Sequence, residues 1–172
     1  AVMGVNGDLG IHKADLMRYL LGEEFTHVGG FVTQRDKKQP NGKPIALDDN
    51  AWLTLKTESG VVGSINISWT HYGQYEANGT TLFCEKGVMR IGEDPEYGVI
   101  VEFRNGQKEC YNVGAMANNA NQAASGVIDS FTDGILNRRK PTIDGQEGYK
   151  ALNVILTAVE AAASSTIKKI PR

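Results

Sequence analysis

Cysteine is nearly absent: Cys84 and Cys110 are the only two in 172 residues, and they form neither a Cys-x-x-Cys pair nor a metal-ligand spacing. They read as reduced structural thiols, which excludes a disulfide framework. Histidine is almost as scarce, and without a His-Glu-x-x-His motif only His27 and His71 remain to complete a zinc shell around His12. No apolar run approaches the roughly 18 residues of a membrane span, and the N-terminus lacks the basic-then-apolar layout of a signal peptide. The expected location is the cytoplasm, with no membrane partner. Eighteen basic and 20 acidic residues give a net charge of -2, with no basic run longer than Arg138-Arg139-Lys140, so nucleic acid is not an expected partner. The nucleophile pattern Gly-x-Ser-x-Gly is missing as well. Gly4, Gly7 and Gly10 follow no strand and do not form Gly-x-Gly-x-x-Gly or a Walker spacing. They read as a glycine-rich lead into a helix with close backbone packing, and no nucleotide site is evident.

What is present suffices for a globular fold. With 41% hydrophobic residues, the chain can bury a core as one domain or as one large half of a two-domain protein. It begins Ala-Val-Met-Gly without an initiator Met, and a helical pattern starts within its first ten residues, so it is expected to be a piece of a longer protein. The first helix should stop near Leu21-Gly22. Strand patterns follow at 25–35, 51–58 and 61–69, with an exposed loop at 34–47 holding Pro40, Asn41-Gly42 and Pro44. Further hairpins are predicted around Lys86-Gly87 and Asn105-Gly106. A helix should run from about Asn118 through Ile128, Phe131, Ile135 and Leu136 to just before Pro141, and a last one from about 144–147 to Lys168. The class expected is α+β, a largely antiparallel open sheet with helices packed on one face. In the strand at 61–69, Ile65, Ile67 and Trp69 alternate with Ser64, Asn66, Ser68 and Thr70. The second sheet face, read as small and polar, is either solvated or free to build a homo-oligomer.

Chemistry concentrates in Asp8-Leu9-Gly10-Ile11-His12-Lys13-Ala14-Asp15. At about 100° per residue, Asp8, His12, Asp15 and Tyr19 share one helix face, while Leu9, Ala14, Leu16, Met17, Leu20 and Leu21 take the opposite arc. A carboxylate one turn from an imidazole can orient the ring and stabilise its charged form, as a general acid or base requires. Three plainer readings stay open. Asp8 is placed to cap the helix, Asp15 to pair with Arg18, and the donors on this face to reach a common metal ion. Trp69-Thr70-His71-Tyr72 ends a strand with groups of the kind that bind sugars, so Trp69 and His71 join the candidate substrate residues.

Asp-x-Gly-x-His-x-x-Asp, followed by an apolar helix ending in Leu-Leu-Gly, resembles the start of the catalytic domain in the Gfo/Idh/MocA family of glucose-fructose oxidoreductases and inositol dehydrogenases. Asp48-Asp49-Asn50-Ala51, Glu58-Ser59-Gly60-Val61, Ser68-Trp69 and Glu85-Lys86-Gly87 resemble its sheet, and Ser130-Phe131 with Gly145-Gln146-Glu147-Gly148 its closing segment. The resemblance implies that residues 1–172 form the C-terminal substrate-binding domain, and that an N-terminal Rossmann domain holding NAD or NADP lies outside this chain. Hydride would pass between a sugar or polyol carbon and the nicotinamide. His12 would move the hydroxyl proton, Asp8 would position substrate, and Asp15 would be supportive at most. The family's catalytic lysine sits in a Glu-Lys-Pro-type motif, whereas Glu85-Lys86 here runs into Gly87. The isolated chain is therefore expected neither to bind NAD tightly nor to turn over substrate. The rival expectation is a non-catalytic sugar-binding or assembly module with the same fold.

Overall fold

A computed structural model describes residues 3–73, 78–113, 126–141 and 143–171. The chain divides into two compact units, Ala1–Thr70 with Arg139–Arg172, and His71–Arg138. The first opens on a π turn, Asn6–Gly10, that runs directly into α1, Ile11–Leu21. Gly22 ends α1 in the left-handed conformation, φ 65°, with its N–H on the carbonyl of Arg18, as its place after Leu-Leu predicts. Strands β1 (Phe25–Thr33), β2 (Asn50–Thr57) and β3 (Val62–Ser68) follow. Helix α3, Gly145–Ser164, starts at Asp144, whose carboxylate accepts from the N–H groups of Gln146 and Glu147.

The strands of this unit are antiparallel, in the order β3-β2-β1-β8, where β8 is the short pair Lys168–Lys169 on the edge of β1. Alternation decides which face is covered. Ala51, Leu53, Leu55 and Thr57 point inward from β2, and Ile65 and Ile67 from β3. Val154, Ile155 and Ala158 of α3 join them with Val28 and Val5 in one core, to which α1 contributes Ala14. Both helices of this unit therefore cover one face, as expected.

The second unit is an antiparallel meander of β4 (Thr80–Cys84), β5 (Gly87–Ile91), β6 (Val99–Phe103) and β7 (Lys108–Tyr111), with α2 at Val127–Leu136. The α+β class and the antiparallel pairing hold, while the described strands divide between two sheets of four. Nothing in the hairpin spacing marks that break, because turn residues fix local pairing and leave sheet membership open.

Several expectations change in detail. The sheet face away from the helices is not only small and polar: Phe31 and Trp52 are cross-strand partners, 77% and 64% exposed. Cys84 and Cys110 are both exposed free thiols, so neither has the packing role expected of it. The last helix stops at Ser164 rather than near Lys168, because Ser165 turns left-handed and the chain returns to β1, where Ile170 is buried. Residues 118–125 of the expected second helix lie outside the described residues. In the part that is described, Ile128, Phe131, Ile135 and Leu136, the residues that carry the helical pattern, are all exposed.

The β1–β2 loop is held by Asp49, a fully buried carboxylate. It accepts from the backbone N–H groups of Arg35, Asp36 and Lys37 and from Asn50 Nδ2. Burial pushes its pKa up, but these donors, Lys37 and Asp36 foremost, outweigh burial and hold it at about 2. The folded value lies below the unfolded one of about 4. Its contribution to stability is therefore complete above about pH 5 and is lost as pH falls toward the folded value. Asp49→Ala is expected to lower stability by about 3 kcal/mol or more, by stranding several buried donors. In urea titrations from neutral to acid pH, the variant should also lose less stability than the parent on the acid side.

Candidate substrate-facing site

Asp48 sets the start of the site helix. Its Oδ1 accepts from Gly4 N–H at 2.7 Å and its Oδ2 from Asn6 N–H at 2.8 Å, and Asn6 Nδ2 adds a bond at 2.9 Å. Val5 N–H reaches the Asp48 carbonyl at 2.9 Å. A helix start leaves backbone donors without partners, and here a carboxylate from far along the chain takes them. The approach is close: a Cβ on Gly4 would lie 1.9 Å from the Asp48 carbonyl oxygen, and one on Gly10 would lie 3.0 Å from Ile67 Cδ1. The glycines thus serve the packing role read from sequence. Asp8 is not the cap: the N-cap residues are Val5 and Gly10, and the donors at the helix start go to Asp48.

Asp8 lies within the π turn, and its Oδ2 accepts a 2.8 Å hydrogen bond from Trp69 Nε1. Single π turns recur at functional sites, where the extra residue re-aims side chains. Asp8, His12 and Tyr19 are exposed and Asp15 is half-exposed, so the polar face exists as predicted. The apolar arc is less accurate. Leu9 is exposed, and the buried line is Asn6, Gly10, Ala14 and Arg18. The wider π turn rotates residues 6–10 out of the phase that about 100° per residue assigns them.

No hydrogen bond joins Asp8 to His12 among the described residues; the imidazole is exposed and the carboxylate is held by the indole instead. Asp15 meets Arg18 at 3.0 Å, the local pair read from its spacing. Arg18 is buried, and it also binds Glu24 through Nε and Nη2 at 2.6 and 2.8 Å, and Glu147 Oε2 at 2.7 Å. The bond to Glu24 outweighs burial and, with Glu147, holds the guanidinium protonated. Arg18 thereby ties α1 to the start of α3. Lys13, beside His12, is drawn below the usual ammonium range by burial.

Trp69 is half-buried against the core, with its N–H on the carbonyl of Asp49 at 2.8 Å. Ser68 Oγ and Thr70 Oγ1 both donate to Asn50 Oδ1, at 2.6 and 3.0 Å. His71 is exposed and opens the second unit. Among the described residues, no group of three or more His, Cys, Asp or Glu side chains is gathered to hold a metal ion. Sequence reasoning missed the roles of Asn6, Asp48 and Asn50. The run Asp48-Asp49-Asn50 after a polar loop was visible, but its partners lie some forty residues away or on other strands.

The sequence profile of the GFO/IDH/MocA C-terminal domain matches residues 2–90, just over half of the chain. The chain belongs to the Gfo/Idh/MocA family. No curated protein matches it in sequence. Solved structures share the fold of this Gfo/Idh/MocA domain. Levoglucosan dehydrogenase, in complex with NADH and L-sorbose, aligns with a TM-score of 0.81 at 21% identity over 99% of this chain and 51% of its own. An oxidoreductase from Agrobacterium radiobacter, in complex with NAD+, L-tartaric acid and magnesium, aligns at 0.77 and 18% over 98% and 50%. Aldose-aldose oxidoreductase from Caulobacter crescentus, complexed with glycerol, aligns at 0.74 and 22% over 98% and 48%. The chain spans about half the length of these proteins.

The trans cap is testable in the Gfo/Idh/MocA chain itself. Asp48→Ala leaves the Gly4 and Asn6 donors without their acceptor and should cost about 2 kcal/mol. Chemical denaturation gives the value, and an unchanged midpoint would show that the π turn does not depend on this carboxylate.

Proposed function

We propose that this chain, residues 1–172, is the C-terminal substrate-binding and oligomerising domain of an NAD(P)-dependent oxidoreductase that acts on a sugar or polyol hydroxyl. The observation that carries this reading is the exposed line of Asp8 and His12 on one helix, with the Asp8 carboxylate anchored by Trp69 Nε1. Family membership supports it, as do relatives solved with NADH and L-sorbose or levoglucosan, and with glycerol.

Both described sheets are antiparallel, unlike the parallel sheet on which a dinucleotide cradle is built. We assign the cofactor to an N-terminal Rossmann domain outside this chain, and we expect the isolated chain to be inactive. The nicotinamide would supply or accept the hydride. In the oxidation direction, the imidazole of His12 takes the proton from the hydroxyl as its carbon loses hydride, and it returns the proton in reduction. Asp8 accepts from substrate hydroxyls and sets the carbon's distance from His12. Asp15 supports the helix through Arg18, and Trp69 and His71 stay, each in its own unit, candidate substrate residues. The cytoplasm remains the proposed location.

His12→Ala in the full-length protein tests the reading. Loss of a general acid or base lowers kcat by about 10²- to 10⁴-fold. Activity within a few-fold of the parent would remove His12 from the mechanism.

The helix-free face of the first sheet is the proposed oligomer surface, because Phe31, Trp52 and Val62 stand exposed on it. Large exposed apolar side chains on an uncovered sheet face mark a candidate association site. Trp52→Glu should shift the full-length protein toward monomer in sedimentation at micromolar concentration, and a parent already monomeric there would refute the surface.

A further inference from the structure

We propose that Trp69 is a positioning residue that acts on substrate through Asp8, an inference that rests on the reading of Asp8 and His12 as the substrate-facing pair. An indole has a single N–H donor and no acceptor. Trp69 directs that donor at Asp8 Oδ2, at 2.8 Å, so it has no polar group left for a sugar hydroxyl. A carboxylate has lone pairs to spare. With Oδ2 engaged by the indole, Asp8 still accepts from a hydroxyl at Oδ1, and its orientation is set before substrate arrives.

The anchoring is rigid at both ends. The Trp69 backbone N–H is bound to the carbonyl of Asp49, and its ring packs against the core. On either side of it, Ser68 and Thr70 converge on Asn50 Oδ1, and Asn50 Nδ2 donates to Asp49 Oδ1. At the other end, the π turn that carries Asp8 is held by Asp48. An exposed aspartate on a helix would otherwise sample several rotamers, and a fixed one orients its substrate without that ordering cost. The arrangement also states what Asp8 takes: a group that donates a hydrogen bond, such as a hydroxyl, and not an anion facing its carboxylate.

Two measurements test this on the full-length protein. Nitrogen-labelled tryptophan gives an indole N–H signal for Trp69, identified by its loss in Trp69→Phe. Asp8→Ala should move that signal, and an unmoved signal overturns the proposal. The second is a cycle of Trp69→Phe, Asp8→Ala and the double variant, read as kcat and KM for formation of reduced nicotinamide with a panel of sugars and polyols. Trp69→Phe should lower kcat/KM by about tenfold, yet by no more than about twofold in the Asp8→Ala background, because coupled residues do not add. The same full loss in both backgrounds overturns the proposal in favour of direct contact between Trp69 and substrate, and leaves the site standing. Asp8→Ala close to the parent overturns the site reading itself. Where Trp69→Phe unfolds, benzothienylalanine at position 69 keeps the ring shape without the N–H, and the same outcomes apply.

Discussion

Two adjacent carboxylates, Asp48 and Asp49, organise the first unit. Asp48 takes the free donors at the start of the site helix, while Asp49 takes those of the 35–37 loop, and its own carbonyl receives the backbone N–H of Trp69. The helix that carries Asp8 and His12, the loop before β2 and the strand end that carries Trp69 therefore all refer to one dipeptide. A buried carboxylate that accepts several backbone donors can remain ionised, as Asp49 does, because those bonds offset its desolvation. The indole bond to Asp8 depends on this frame, since it joins the two segments that the dipeptide holds.

Arg18 supplies the complementary constraint. It is buried on the core side of α1 and gathers Asp15, Glu24 and Glu147, so three carboxylates near the helix are satisfied within the fold. The charges of α1 are thereby sorted. Asp15 pairs with Arg18, whereas Asp8 and His12 remain on the open face. This sorting supports assigning the proposed proton transfer and substrate positioning to those two residues, with Asp15 acting only through the helix.

Much of the architecture was legible as local pattern. The period of α1, the glycine stop at Gly22, the alternation in β2 and β3 and the hairpins at Lys86-Gly87 and Asn105-Gly106 depend on residues close in sequence. The misses share a different cause. Leu9 lies exposed because a π turn breaks the helical phase, and no propensity scale marks such a turn. Phe31 reaches the open sheet face because β1 carries a register shift between Phe25 and His27. The two-residue β8 is too short for any periodicity to announce it.

The sequence by itself determined the polar line Asp8, His12, Asp15 and Tyr19, the α+β class and the family resemblance, since each is carried by spacing along the chain. The tertiary structure alone decided what Asp8, Asp15 and His12 of that line meet. Asp15 was drawn to Arg18, Asp8 was held by an indole 61 residues away, and His12 was left exposed. The reason is physical. Spacing fixes which side chains share a face, but the direction of a carboxylate is set by the donors that approach it, and those donors arrive from distant segments only when the chain folds.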